Sequence, residues 1–275
     1  ICGTGSDEIL IFTALAFCSP GDEIIHAEHG FEMYPIITKY VGAESILASE
    51  IDYKIDTSSI LKKINDSTKL IFIANPNNPT STYLNKQELE NLLKQIPKNI
   101  SVVIDTAYAE YVDAEDYDRS FDLTEKFENV IITRTFSKAY SLAGIRLGWG
   151  YGSKKLIEII KKLRPPFNIT PGAIAAGIEA LNDDKHLQTN IEHNSKIKSW
   201  FIECINEMGF KAYPTQTNFV FVIIPTNKKQ NAKILNEFLL SKGIAVRYLM
   251  SYGLKDAIRI TLGTKEELEK LIIVF

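Results

Sequence analysis

Short apolar runs separated by polar stretches dominate the first half of the chain. "DEIIHA" (22–27), "ESILA" (44–48), "KLIFIANP" (69–76), "ISVVIDTAY" (100–108), "NVIITRT" (129–135) and "IRLGWGY" (145–151) each read as a strand. Most are apolar throughout instead of alternating, which predicts a mostly parallel sheet covered by helices on both faces. Residues 6–17, "SDEILIFTALAF", read as a buried helix opened by Ser6 or Asp7 and stopped by Ser19-Pro20-Gly21. In "NKQELENLLKQI" (85–96), Leu89, Leu92, Leu93 and Ile96 keep helical spacing, so a helix lies between two of the strands.

The pattern changes after Gly150. Helices are expected over 153–163 and 171–182, then one long polar-faced helix over 185–208 closed by Gly209. "NFVFVII" (218–224), a helix near 229–241, "IAVRYL" (244–249), "AIRITLG" (257–263) and a final helix follow. This half reads as α+β. The expected division is a large α/β domain over 1–184 and a small domain over 185–275, with the helix near 185–208 bridging them.

Composition adds exclusions. The 275 residues are 45% hydrophobic and 24% charged, with a net charge of -3 and both signs interspersed. That balance argues against nucleic acid or an anionic membrane as partner. The apolar runs are far short of a membrane span. Cys2, Cys18 and Cys204 are odd in number and far apart, which fits a reducing compartment such as the cytoplasm better than a disulfide framework. His26 and His29 bracket Glu28, but no ligand cluster accompanies them, so no metal is expected. Residue 1 is isoleucine and the chain opens directly on "ICGTGSDE", as the middle of a longer product would.

Four motifs fall at strand ends or a helix start, where ligands bind in open α/β sheets. "GTGSDE" at the head of the first helix offers backbone N–H groups to an anion, though it reads equally as a cap. "NPNNPTS" forms a tight turn that presents Asn78 to a hydroxyl or phenolate oxygen. Asp105 ends the apolar run of "VVIDTAYAEY" with Tyr108 three residues on. A carboxylate buried there needs a cation or several donors. "TRTFSKAYSLAGIRLGWG" (133–150) places Lys138 at a strand terminus among Phe136, Tyr140 and Leu142, where an unpaired ammonium is costly. A desolvated lysine loses its proton readily and becomes a nucleophile. Ser137 and Arg146 suit a phosphate, and Gly144 and Gly148 allow close backbone approach. Each motif alone has an ordinary structural explanation: a cap, a loop, an N-cap aspartate. Together they match pyridoxal phosphate, which needs a lysine, a carboxylate for its ring nitrogen, donors for its ring oxygen and an anion site.

The motifs "GSDE", "NPNNPT", "DTAY", "SKAYSLAGIRLGWG" and "RITLG" resemble those of the histidinol-phosphate aminotransferase family, within the fold-type I pyridoxal-phosphate aminotransferases. The resemblance spans essentially the whole chain. It implies a Schiff base between Lys138 and pyridoxal 5'-phosphate, with Lys138 also moving a proton between Cα and C4′. By the same resemblance Asp105 pairs with the ring nitrogen, and Asn78 and Tyr108 bind the ring oxygen. Gly5, Ser6, Asp7, Ser137 and Arg146 form the phosphate cup, partly through backbone N–H groups. Phe31 in "HGFEMY" takes the place of the stacking aromatic, often tyrosine in relatives. Arg259 receives the substrate carboxylate, and Arg247 in "IAVRYL" is a second candidate for a distal phosphate or an ion pair.

The implied reaction passes the amino group of glutamate to imidazole-acetol phosphate, giving 2-oxoglutarate and histidinol phosphate. A homodimer is implied too. Ser81 stands where relatives often have glycine, and an N-terminal segment of several dozen residues common in relatives is expected to be missing. The rival readings are an aromatic-amino-acid aminotransferase on the same scaffold, a lyase resembling threonine-phosphate decarboxylase, and a catalytically silent binding protein. A nucleotide-binding oxidoreductase ranks last, since no Gly-x-Gly-x-x-Gly follows a strand.

Overall fold

The computed structural model describes residues 1–119, 121–225 and 231–275. The chain begins with β1 (Cys2–Gly3), α1 (Ser6–Phe17), β2 (Glu23–Ala27), α2 (Met33–Tyr40) and β3 (Glu44–Ala48). A hairpin of β4 (Glu50–Ile51) and β5 (Lys54–Ile55) leads to α3 (Thr57–Lys63), β6 (Thr68–Ala74), α4 (Lys86–Gln95) and β7 (Ser101–Asp105). Then come α5 (Phe121–Lys126), β8 (Val130–Thr135), β9 (Gly148–Gly152), α6 (Lys154–Lys161) and α7 (Pro171–Asn182). The long α8 (Asp184–Glu207) precedes β10 (Lys211–Ala212), β11 (Phe219–Ile223), α9 (Ala232–Ser241), β12 (Arg247–Tyr248), β13 (Ala257–Thr261) and α10 (Lys265–Val274).

Seven strands form the main sheet in the order β1-β9-β8-β7-β6-β2-β3. The run from β3 through β2, β6 and β7 to β8 is parallel, and β9 pairs antiparallel with both β8 and β1. Neighbouring residues of one strand serve opposite faces. Ile25, Ile71, Ile73, Val102 and Ile104 join a core with Leu89, Leu92 and Leu93 of α4. Ile24, Leu70, Phe72 and Val103 join a second core with Leu10 of α1, Ile37 of α2 and Ile160 of α6. Burial on both faces is why these strands are apolar at successive positions.

The last quarter has its own four-stranded sheet, ordered β10-β11-β13-β12 and antiparallel throughout. Its core takes Val220 and Val222 of β11, Ile258 and Ile260 of β13, and Ile197, Phe201 and Ile205 of α8. The N-terminal turns of α8 instead place Leu187 and Ile191 against Tyr108, Tyr111 and Phe219. One helix thus touches both bodies.

The differences from the sequence reading are local. The run expected over 145–151 pairs only from Gly148. Ala143–Ile145 form a 3-10 turn, and Arg146 sits in the left-handed region at φ 57°. A strand does lead into "GTGSDE", but it is the two-residue β1, whose second residue is the motif's first glycine. Of "IAVRYL" only Arg247–Tyr248 pair. The first residues of the helix expected near 229–241 lie outside the described residues, and α9 occupies 232–241. The short α2, α3 and α5 carry too few turns to stand out as periodic patterns. Ser81 adopts φ 68°, the conformation glycine supplies elsewhere, so the turn keeps the shape a glycine would give it. Its hydroxyl bonds to Thr215 and accepts from the Gln216 N–H at 3.3 Å. His26 and His29 face different partners, Ser45 and Glu50. No helix among the described residues is long and apolar enough to cross a membrane.

Candidate active site

The C-terminal ends of β6, β7 and β8 open into a cleft of about 330 Å³, whose far wall comes from the four-stranded sheet. Its lining includes Ser6, Asp7, Phe31, Asn78, Asp105, Tyr108, Ser137, Lys138, Arg146, Arg247 and Arg259. These residues are scattered over more than 250 positions of sequence, and eleven of the twelve sequence candidates meet here. The twelfth, Gly5, lies directly behind: a Cβ built on it would come within 2.7 Å of an Arg146 terminal nitrogen. Gly5 has φ 82° and is the N-cap of α1, so the first turn of α1 points its unpaired N–H groups at the cleft. Gly148 is equally constrained, since a side chain there would strike the Ser6 backbone nitrogen.

Asp105, the last residue of β7, forms the floor and is 5% exposed. Its carboxylate accepts from Thr133 Oγ1 at 3.1 Å, from Tyr34 Oη at 3.2 Å and from the Ala107 backbone N–H. Burial, followed by repulsion from Asp7, pushes its pKa up to about 6 despite those bonds. No cation pairs with it among the described residues.

Lys138 follows β8 on a tight turn in which the Ser141 N–H donates to the Lys138 carbonyl. Its Nζ lies 5.4 Å from the centre of the Tyr108 ring. Burial, followed by the nearby Arg259 charge, lowers its pKa, so the neutral amine is more accessible than in an exposed lysine. Tyr108 packs edge-on against Phe219, and burial raises its pKa, keeping the phenol protonated.

The arginines differ in their partners. Arg146 donates to Ser137 Oγ at 3.2 Å and the Ala143 carbonyl at 2.9 Å, and pairs with Asp7 at 3.4 Å. Arg247 is bridged at 2.7 Å to Glu32. Arg259, on β13, donates Nη1 to Asn78 Oδ1 at 2.5 Å and lies over the Phe219 ring. Its Nε is buried without a hydrogen-bond partner, and no carboxylate bridges its guanidinium among the described residues.

The residue-type logic of the sequence reading missed Tyr34, Thr133, Glu32 and Tyr252. Tyr34 and Thr133 bond Asp105, while Glu32 and Tyr252 line the cleft. A signal existed for Tyr34, which stands three residues after Phe31 and therefore near it on a helical turn. Thr133 offered none, because its role depends on the parallel register that sets it beside Asp105.

The whole chain, residues 1–275, matches the model for the family "Aminotransferase class I and II". The protein belongs to that family. It is 39% identical over 266 residues to the histidinol-phosphate aminotransferase of Nitrobacter hamburgensis, covering 97% of this chain and 73% of the relative. It is 40% identical over 267 residues to that of Paramagnetospirillum magneticum, covering 97% and 74%. Among solved structures it resembles the histidinol-phosphate aminotransferase of Sinorhizobium meliloti in complex with pyridoxal-5'-phosphate, with TM-score 0.91, 24% identity, and coverage of 99% and 74%. The fold is that of the type I pyridoxal-phosphate aminotransferases, and the protein is a pyridoxal-phosphate-dependent transaminase.

The donor set fits that cofactor. An ionised carboxylate offers about four acceptor sites. Three are taken at Asp105, which leaves one for a ring N–H. The same cleft is lined by Lys138, which has no carboxylate partner among the described residues, by the N-terminus of α1 and by Arg146.

Proposed function

We propose that the protein transfers the amino group of glutamate to imidazole-acetol phosphate, forming histidinol phosphate and 2-oxoglutarate in histidine biosynthesis. The observation that carries the choice of substrate is the near-40% identity, over almost the entire chain, to histidinol-phosphate aminotransferases.

When bound, pyridoxal phosphate supplies an electron-accepting ring that stabilises negative charge at the substrate Cα. In this reading the chain's own residues do the rest. The Lys138 amine holds the cofactor aldehyde and then carries the proton that leaves Cα. Asp105 keeps the ring nitrogen protonated. Asn78 and Tyr108 donate to the ring oxygen, and Phe31 lies against the ring face. The backbone of Gly5, Ser6 and Asp7 binds the phosphate with Ser137 Oγ and Arg146. Arg259 takes the carboxylate of glutamate in one half-reaction and the phosphate of the partner substrate in the other, which a planar fork of donors accommodates. Arg247 is the second anion contact once Glu32 is displaced.

The division at 184/185 into a cofactor domain and a small domain joined by α8 belongs to the same reading. It is supported by the separate cores of the two sheets, α8 contributing Ile197, Phe201 and Ile205 to that of the smaller one. So does a homodimer. α7 carries Ile174, Ile178 and Leu181 at 48%, 54% and 56% exposure, unusual for a helix this apolar, and light scattering measures the assembly directly. A cytoplasmic location is part of the proposal and rests on the three unpaired cysteines.

The test is the visible absorption of the protein with pyridoxal phosphate, alone and after each amino donor. The expected result is a Lys138-dependent band that changes on adding histidinol phosphate or glutamate. A response to phenylalanine or tyrosine but not histidinol phosphate assigns the aromatic reaction instead. Carbon dioxide release assigns the lyase.

A further inference from the structure

We infer that Tyr34 is a positioning residue that fixes the Asp105 carboxylate, and through it the ring nitrogen of the cofactor. The inference rests on the cofactor reading above and adds a residue to it.

Tyr34 is 1% exposed, in the first turn of α2. Its ring is stacked on Phe72 of β6 with centroids 4.7 Å apart and planes within 6°, which leaves the side chain little freedom. The hydroxyl therefore points in one direction and donates to Asp105 Oδ2. Burial and the facing carboxylate raise the phenol's pKa well above its ordinary value, so it remains a donor. His26 packs against the same ring at 6.0 Å, but its two nitrogens are bonded to the Ala27 carbonyl and Ser45 Oγ. It does not compete for the hydroxyl.

Tyr34 also reaches the residue expected to stack on the cofactor. Its backbone N–H donates to the Phe31 carbonyl at 2.9 Å, and the two rings meet edge to face at 5.8 Å. Phe31 and Asp105 would contact the ring face and the ring nitrogen, and Tyr34 touches both. With Thr133 holding Oδ1 and Tyr34 holding Oδ2, the carboxylate cannot rotate, and its remaining acceptor site faces a fixed direction.

The experiment titrates pyridoxal phosphate into wild type, Tyr34→Phe, Asp105→Asn and the double variant. Binding is followed by absorbance and folding by the melting temperature. The pH profile of the bound cofactor's spectrum is recorded in each. Phenylalanine keeps the ring and its stacking, so the fold should be retained, with melting lowered only by the loss of one buried hydrogen bond. Loss of one hydrogen bond to a charged group should weaken binding about 10-fold and shift the pH profile. In the Asp105→Asn background the same change should cost about threefold or less, because the two groups act as one unit. Wild-type affinity and profile in Tyr34→Phe overturn the inference. Equal losses in both backgrounds overturn it too, since they reduce Tyr34 to packing. Wild-type binding in Asp105→Asn overturns the cofactor reading itself, and this inference with it.

Discussion

The floor and the rim of the cleft are built differently. On the floor, Asp105, Thr133 and Tyr34 are buried, and each holds a hydrogen bond within the triad. On the rim, Arg146 and Arg247 have side chains 48% and 51% exposed and paired with Asp7 and Glu32 of the same chain. Exposed pairs of this kind are worth little and exchange readily. A buried donor or acceptor is costly to orphan. In the proposed reading the floor would fix where chemistry happens, and the rim would trade its own carboxylates for the anionic groups of a ligand.

The comparison can be tested from its strongest end. Lys138→Ala should abolish the visible cofactor band and reduce amino transfer by about 10³-fold or more, read by absorbance and by 2-oxoglutarate production. Survival of either would remove the nucleophile from the floor.

Next is Arg259→Gln, which stands between floor and rim. It should raise the KM for glutamate by about 10- to 100-fold while leaving cofactor binding near wild type. A loss of cofactor instead would move Arg259 to the floor.

The third test is pH. Folding raises the Asp105 pKa to about 6, so the native state binds a proton that the unfolded chain has already released. Stability from this group is present below about pH 4 and is lost as pH rises through about 6. Without cofactor, Asp105→Asn should melt close to wild type at acid pH and above it at pH 7.5. Cofactor, by supplying a ring N–H, should reverse the ranking at pH 7.5. A pH-independent difference would mean that the floor carboxylate is not strained.

The smallest effect belongs to the rim. Glu32→Gln should lower substrate KM by about two- to fivefold with kcat unchanged, the range of an exposed ion pair. A change in kcat would show that Glu32 reaches the reacting atoms.

Much of the cleft lining was legible before the fold was known, because several of its residues are announced locally. Asp105 ends an apolar run, and Lys138 follows one. Asn-Pro steps mark the Asn78 turn, and a Gly-x-Gly marks the helix start. What escaped were partners defined by register. Thr133 is one of several polar residues near Lys138, and only the pairing of β7 with β8 sets it beside Asp105. Glu32 reads as a surface residue of "HGFEMY" until Arg247, 215 positions later, folds against it.

The sequence by itself determined the mostly parallel α/β sheet, through strands apolar on both faces, and the residue types that gather at its C-terminal edge. Only the tertiary structure decided which groups satisfy one another. It paired Arg247 with Glu32, left Arg259 Nε buried without a hydrogen-bond partner among the described residues, and made Tyr34 a donor to Asp105. The physical reason is range. Burial periodicity and turn chemistry act over a few residues and leave a trace in composition. A hydrogen bond between residues 71 positions apart depends on how helices and strands stack, and no short stretch of sequence encodes that.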